Sequence, residues 1–107
     1  MFKVVKIENK QIPLKCDGST AVKYSRFFNR NLISDFAELA KLEDKVVDSN
    51  VLEMLAWTMA KSADNNIPDL EEWLSQFDSP MSIYYSATDI LGLLHKSFRA
   101  TKQPKKK

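Results

Sequence analysis

Cysteine, histidine and glycine are scarce in this sequence, and each scarcity removes a class of function. The 107 residues include one cysteine, one histidine and two glycines. A single Cys16 cannot form a disulfide within the chain, and Cys16 with one distant His95 lacks the spacing of a zinc site. Two isolated glycines, Gly18 and Gly92, cannot build a phosphate-binding loop or a dinucleotide-binding fingerprint. We therefore expect no metal, no cofactor and no nucleotide chemistry.

Groups able to act in catalysis are also few. The sole imidazole, His95, falls at the basic end of the last predicted helix, where a histidine is usually a surface residue or a favourable cation. Asp64, Asp69, Glu71 and Glu72 form a carboxylate group that could be interpreted as an acid/base pair or a hard-cation site. Acids in the first turn of a helix more commonly stabilise its positive end, and a capping box explains Asp69 and Glu72. We predict that the protein is not an enzyme.

Long hydrophobic runs are missing as well. No apolar run approaches the roughly 20 residues that cross a bilayer, and the first six residues lack the apolar stretch of a signal peptide. We therefore expect a cytoplasmic protein without a membrane span. Of the 107 residues, 44% are hydrophobic, which is sufficient for one core. The prediction is a single helical domain over residues 1–100 and a disordered basic tail over residues 101–107.

Charge is distributed unevenly along the chain. The formal net charge is +2, yet six of the sixteen basic residues follow the last acid, Asp89. These six are Lys96, Arg99, Lys102, Lys105, Lys106 and Lys107. The rest of the chain has ten basic against fourteen acidic residues, a formal charge of −4. A basic tail of this kind predicts, as an alternative function, a small nucleic-acid-binding regulator. No aromatic residue follows Phe98, however, and a solvated end is the commoner outcome.

The N-terminal residues predict a short antiparallel hairpin. Residues 2–7 and 11–16 are rich in valine and isoleucine and are separated by Glu8-Asn9-Lys10. Ile12, Leu14 and Cys16 alternate with polar residues or proline, so they should share one face. Pro13 cannot donate a backbone hydrogen bond, which predicts an edge strand. A two-stranded hairpin is marginal in water and must pack on the helices.

About five helices should follow, and the predicted fold class is mainly α. Their predicted ranges are residues 20–28, 32–42, 51–62, 70–77 and 82–100, the last with a possible interruption at Thr88-Asp89. The first two bury stripes that consist of Ala21, Tyr24, Ser25 and Phe28, and of Leu32, Phe36, Leu39 and Ala40. The last buries Ile83, Ala87, Ile90, Leu91, Leu94 and Phe98. Its Gly92 costs about 1 kcal/mol relative to alanine in a helix interior.

Polar residues at the helix ends predict where the helices begin and stop. Either hydroxyl of Ser19-Thr20 can cap the first helix, and Asn29 can end it in the left-handed conformation. Asn31 can cap the second helix. The pairs Asn50 with Glu53 and Asp69 with Glu72 have capping-box spacing at the starts of the third and fourth helices.

Trp57 and Trp73 occupy matching places on the third and fourth predicted helices, which form a helical hairpin with a large aromatic surface. One interpretation places both rings in the core, where they clamp two helices together. The other makes them partly exposed anchors for another protein, and both can hold at once. The candidate partner-binding residues are Tyr24, Phe28, Trp57, Met59, Trp73 and Phe77. Met54 and Met81 add adaptable apolar surface.

Five short segments of the sequence read TAVKY (20–24), FNRNL (28–32), LAWTMAK (55–61), PD (68–69) and EWL (72–74). Together they resemble the tail assembly chaperones of long-tailed, siphovirus-type bacteriophages of Gram-positive hosts. The resemblance covers most of the chain up to about Phe77. Members of that family often have glycine and aspartate where this chain has Asn29 and Asn31, and both substitutions keep the same turn and cap physics.

This resemblance implies a non-catalytic function in the cytoplasm of a bacterial host. The chaperone holds the tape-measure protein soluble, brings tail-tube subunits to it and is absent from the mature virion. A homo-oligomer is a further expectation, because the last apolar stripe is large for one small core. In the family, ribosomal frameshifting makes a longer form. The adenine-rich codons of Lys105, Lys106 and Lys107 could supply the slippery run, although an ordinary lysine-rich tail is the alternative hypothesis.

Overall fold

A computed structural model describes residues 1–41 and 50–100, with the backbone alone at residues 40, 41, 99 and 100. Over these residues the chain forms an antiparallel hairpin followed by six helices, which confirms the predicted fold class. The strands are β1 (Phe2–Ile7) and β2 (Lys10–Lys15). The helices are α1 (Thr20–Phe28), α2 (Leu32–Lys41), α3 (Val51–Ala63), α4 (Leu70–Leu74), α5 (Ser82–Tyr85) and α6 (Ala87–Ala100). The predicted tail lies outside the described residues.

The hairpin turns within two residues. Glu8 and Asn9 have φ of 54° and 70°, and Ile7 pairs directly with Lys10. Positive φ at both central residues is the type I′ geometry, whose twist matches that of the flanking strands. The predicted three-residue separation was therefore one residue too long, because Lys10 already belongs to β2.

One face of the hairpin is apolar and packs on the helices. Its buried residues are Val5, Ile7, Ile12, Leu14 and Cys16. The predicted shared face of Ile12, Leu14 and Cys16 is confirmed. This face lies mainly on α3, while β1 also contacts α5 and α6. The other face of the hairpin therefore points away from α3, because successive side chains of a strand alternate between faces.

Helix α3 is the centre of the fold. From Val51 to Ala60 every side chain except Met54 is buried. A helix that is buried on nearly every side must be enclosed by other elements. Contacts with β2, α1, α2, α4 and α5 provide that enclosure.

Three predicted helix ends are confirmed. Asn29 adopts the left-handed conformation with φ 55°, and its N–H donates to the carbonyl of Ser25. Asn31 Oδ1 accepts a hydrogen bond from the Ser34 N–H at 2.8 Å. Asp69 Oδ1 accepts from the Glu72 N–H at 3.0 Å. Each bond satisfies a backbone group that the helix itself leaves unpaired.

The hydroxyl cap of α1 was a wrong prediction. The Ser19 side chain makes no capping hydrogen bond; its hydroxyl and its N–H both donate to Asp17 Oδ1, at 2.6 and 2.8 Å. Thr20 Oγ1 accepts from the Asp17 N–H at 2.9 Å. Asp17 therefore organises this turn. The two hydrogen bonds from Ser19 hold the pKa of the Asp17 carboxyl below its usual range. The predicted inward position of Ser25 was also wrong, since Ser25 is exposed.

The capping box at α3 was wrong too. Asn50 precedes the helix but makes no side-chain cap hydrogen bond. Glu53 instead accepts a hydrogen bond from the Tyr84 hydroxyl at 3.1 Å. Burial and the nearby Glu53 carboxylate raise the pKa of Tyr84 to about 12. The acid at this spacing therefore joins α3 to α5 rather than closing a local box.

Two C-terminal boundaries differ from the prediction. Helix α4 ends at Leu74, before Phe77, because Ser75 Oγ and Gln76 Nε2 donate to the last carbonyls of the helix, at 2.6 and 2.8 Å. The break between α5 and α6 falls at Ser86, ahead of the predicted interruption at Thr88-Asp89.

The apolar stripe predicted for the last helix is partly confirmed, since its Ile83, Ile90 and Leu94 are buried. Leu32 and Leu39 are buried in α2, and the side chain of Ala40 lies outside the described residues.

A carboxylate in the hairpin turn fastens the hairpin to the start of α5. Glu8 accepts hydrogen bonds from the Asp78 N–H at 2.9 Å, the Ser79 N–H at 3.0 Å and the Ser82 hydroxyl. These bonds, chiefly those from Ser82 and Asp78, hold the pKa of the Glu8 carboxyl below its ordinary value of 4.5. Glu8 therefore joins segments about seventy residues apart in the chain.

We expect Glu8→Gln to lower stability at neutral pH but not in acid. The ionised form accepts these bonds best, so its contribution is complete above the unfolded pKa near 4.5 and disappears as the pH falls through the lower folded pKa. Denaturant unfolding of both proteins from neutral to acidic pH measures this. The difference in unfolding free energy should shrink below pH 4.5. A difference that stays constant with pH would contradict the assignment.

Gly92 lies inside α6, and a Cβ built there meets no atom within 4 Å. Gly92→Ala should therefore raise the free energy of unfolding by about 0.5–1 kcal/mol, because alanine loses less backbone entropy on folding. Denaturant unfolding at neutral pH measures the change. A loss of stability would show that the helix is distorted or crowded at this position.

Candidate functional site

An aromatic groove lies between α1, α3 and α4. Its volume is about 470 Å³, and its walls are formed by Phe27, Phe28, Trp57, Lys61, Asp69, Leu70 and Glu71. Aromatic and aliphatic surface forms the floor, and charged groups stand at the rim. Protein-binding surfaces commonly combine an apolar centre with a polar rim. This groove is the candidate functional site.

Trp57 holds the floor of the groove in place. Its indole Nε1–H donates to the carbonyl of Pro68 at 2.9 Å. The rings of Phe27 and Phe28 meet it edge to face, with centroids 4.9 and 5.5 Å from the indole. Edge-to-face contacts of this kind add stability beyond their buried area. Helices α1 and α3 are therefore joined directly through the groove floor.

Phe27 is the exposed part of this aromatic cluster. It has 44% of its surface accessible, whereas Trp57 has 4%. The guanidinium of Arg26 lies 5.4 Å from the centre of the Phe27 ring. A partly exposed phenylalanine that rests on a fixed indole gives a partner an aromatic contact at low entropic cost.

Lys61 supports the loop that borders the groove. Its ammonium donates to the carbonyls of Asn65 at 2.9 Å and Ile67 at 3.2 Å, and it lies 5.8 Å from the centre of the Trp57 ring. These contacts fix residues 64–68 against α3. The loop in turn carries Asp69, which caps α4 and places Leu70 and Glu71 on the far wall.

A partly buried hydrogen-bond network fixes the end of α1, from which the groove phenylalanines project. The Tyr24 hydroxyl donates to Asp35 Oδ2 at 2.5 Å. Arg30 donates to both oxygens of Asp35, at 2.6 and 3.0 Å. The Arg30 hydrogen bond holds the pKa of Asp35 below its ordinary value of 3.8, while burial and then Asp35 raise that of Tyr24. The network therefore joins α1, the turn and α2.

The structure places most of the predicted partner-binding side chains in the core. Tyr24, Trp57, Met59, Trp73 and Phe77 are buried, and Phe28 is half-buried. The core interpretation of both tryptophans is therefore confirmed. Trp73 packs against Phe77, with ring centroids 5.5 Å apart, and not against Trp57's partners Phe27 and Phe28. Among the methionines, Met81 is exposed and Met54 is half-buried.

The groove brings together Phe28 and Trp57 from the predicted set and adds Phe27, Lys61 and Leu70. Phe27 was missed because the stripe of α1 passes through Tyr24 and Phe28. Two adjacent aromatic residues at the end of an amphipathic helix were the available signal, since one of them must lie beside the stripe. The predicted basic residues Lys102, Lys105, Lys106 and Lys107 lie outside the described part of the chain.

Of the groups considered for catalysis and metal binding, the carboxylates Asp69 and Glu71 line the groove together, while Cys16 and His95 do not line it. Cys16 is buried beneath the hairpin and His95 is exposed on α6. Within residues 1–41 and 50–100, no three histidine, cysteine, aspartate or glutamate side chains come together as a possible metal site. None of the helices described is long and apolar enough to cross a membrane.

Comparison with known proteins adds no relative. No protein-family model matches the chain, and neither a curated protein nor a solved structure matches it at a significant level.

Tyr24→Phe tests the network that fixes the groove. It removes the hydroxyl that donates to a charged acceptor, so we expect a loss of roughly 1.5–3 kcal/mol in unfolding free energy. Tyr85→Phe is the matched control, because Tyr85 is 78% exposed and loss of its hydroxyl should cost less than about 0.5 kcal/mol. Denaturant unfolding measures both variants. Equal stability of the two variants would contradict a structural role for the Tyr24 hydroxyl.

Proposed function

We propose that this protein is a tail assembly chaperone of a long-tailed phage or prophage. In this proposal it acts in the cytoplasm of the bacterial host, binds tape-measure and tail-tube proteins, and performs no catalysis. The observation that carries the proposal is the exposed Phe27 above Trp57 in the aromatic groove. The sequence resemblance supplies the class of partner. Its segments include Phe28, Trp57, Lys61 and Asp69 of the groove, whereas Phe27, Leu70 and Glu71 lie between those segments.

The physical properties of the groove suit the capture of a helical client. A tape-measure protein is long and helical, and before assembly its apolar stripes require cover. Phe27 and Leu70 provide apolar surface on opposite walls, while Asp69, Glu71 and Lys61 provide polar partners at the rim. An amphipathic helix binds such a groove through apolar anchors spaced three or four residues apart.

The alternative function, binding of nucleic acid through the basic tail, rests on residues outside the described ranges. It stays a prediction from the sequence. Exposed apolar side chains favour a protein partner instead, because aromatic residues are enriched at protein–protein interfaces.

Co-expression with a tape-measure protein tests the proposal. The chaperone should increase the soluble yield of the client and co-purify with it. Phe27→Ala should weaken binding at least about tenfold, since truncation of a hot-spot residue at an interface costs about 2 kcal/mol or more. Tyr85→Ala is the control, because it removes an exposed aromatic residue from α5, which does not line the groove.

Two results would count against the proposal. One is that neither the tape-measure protein nor the tail-tube protein gains solubility or co-purifies when it is co-expressed with this chain. The other is equal binding by the Phe27→Ala and Tyr85→Ala variants, which would separate client binding from the groove. Circular dichroism of each variant confirms that the fold is retained.

A further inference from the structure

The face of the hairpin that points away from α3 is an exposed apolar strip with basic ends. By strand alternation its residues are Phe2, Val4 and Lys6 on β1 and Gln11, Pro13 and Lys15 on β2, which we call the hairpin face. Phe2 is 61% and Val4 is 46% exposed. Val4 lies directly opposite Pro13, so these side chains form one continuous surface. No acidic residue belongs to this face.

The strand edges are less suited to binding than the face. Met1 and Cys16 exchange two backbone hydrogen bonds, of 2.6 and 2.8 Å. Because bonded and non-bonded pairs alternate along an antiparallel ladder, Val4 and Pro13 form a non-bonded pair. The nitrogen of Pro13 therefore faces the outer edge of β2, where it cannot donate to an added strand. On β1, the carbonyl of Lys6 already accepts from Ser86 Oγ at 3.3 Å.

The surface around α4 has the opposite charge. Exposed carboxylates of Asp69, Glu71 and Asp78 line the aromatic groove and the neighbouring hollow of about 330 Å³, and Glu71 belongs to both. Glu72 adds a fourth exposed carboxylate. We define the α4 face as Asp69, Leu70, Glu71, Glu72, Leu74 and Asp78, with Phe27 across the groove. The ammonium of Lys61 also lines the groove, but two loop carbonyls already accept its hydrogen bonds.

One molecule cannot bring these two faces together. The hairpin covers α3 with its other face, whereas the groove floor includes Trp57 of α3 itself. The hairpin face therefore points away from the helix that forms the floor. Among the described residues, Phe2 and Val4 of the hairpin face and the carboxylates of the α4 face are exposed, and each face combines apolar centres with charges that the other lacks.

We propose that the hairpin face of one copy of this protein docks on the α4 face of a second copy. Phe2 and Val4 lie against the aromatic groove, and Lys6 and Lys15 lie near the carboxylates of α4. Because the two faces differ, the contact is head-to-tail, and its repetition from copy to copy produces rings or open chains. Lys15 takes part readily, since its ion pair with Asp17 is long, at 3.8 Å, and exposed.

This self-association does not depend on the tail-assembly function. It does use the same groove, so a client helix and a second copy compete for Phe27. Assembly of free chains therefore protects the apolar groove until a client displaces the hairpin face.

Sedimentation velocity on the purified full chain tests the proposal. The sedimentation coefficient should rise with concentration from about 10 µM to about 1 mM, a range suited to a small interface. The rise should weaken between about 0.05 and 0.5 M salt, because exposed charges are screened. Lys6→Glu and Glu71→Lys should each raise the dissociation constant about tenfold or more by placing like charges together.

Two matched controls separate the contact from general charge effects. Lys96→Glu reverses an exposed lysine on α6, and Asp89→Lys reverses an acid in the first turn of α6, as Glu71→Lys does in α4. Both controls should associate like the parent protein. An equimolar mixture of the Lys6→Glu and Glu71→Lys proteins should associate, because each reversed face then meets its opposite charge.

Each other result overturns the proposal. A parent protein that stays monomeric over the whole range excludes the contact. If only one of Lys6→Glu and Glu71→Lys weakens association, the interface joins two like faces. If the mixture of the two variants does not associate, the hairpin face does not bind the α4 face. If the two control variants weaken association as much as Lys6→Glu and Glu71→Lys do, the change in net charge explains the loss and the proposed contact does not. Circular dichroism confirms that each variant is folded.

Discussion

Enclosure of α3 is the constraint on which the rest of the structure depends. This helix is buried on nearly every side from Val51 to Ala60, so the hairpin and four other helices must each supply an apolar face to it. The hairpin, too small to be stable alone, gains its stability from this packing. The same requirement places α1 and α4 on either side of Trp57, and the groove is the space that remains between them.

The groove is held open by polar contacts at its ends rather than by its own aromatic contacts alone. Tyr24, Arg30 and Asp35 fix the end of α1, while Lys61 and Asp69 fix the loop and the start of α4. Each network satisfies buried or helix-terminal polar groups, so the cost of breaking it opposes collapse of the groove. An aromatic residue such as Phe27 can then remain partly exposed without closing onto the core.

Local signals in the sequence were sufficient to predict the strands, most helices and several helix ends. They were less informative about contacts between residues that are distant in the chain. Asn29, Asn31 and Asp69 act within three or four residues of themselves, so their cap roles could be predicted. Glu53 has the same local spacing, yet its carboxylate meets Tyr84, thirty-one residues away. Glu8 likewise acts far from its own turn. Exposure of Phe27 depends on where α3 and α4 lie around α1, which no periodicity within α1 specifies.

We propose that the aromatic groove binds a helical protein client, and the two tryptophans allow a direct measurement of this binding. In a nitrogen-15 NMR titration with a tape-measure segment, the indole N–H of Trp57 reports on the groove, and that of Trp73 serves as the internal control because Trp73 does not line it. We expect the Trp57 signal to shift together with the amides of Phe27, Leu70 and Glu71, while the Trp73 signal stays in place. A saturable shift confined to Trp73, or to residues outside the groove, would contradict it.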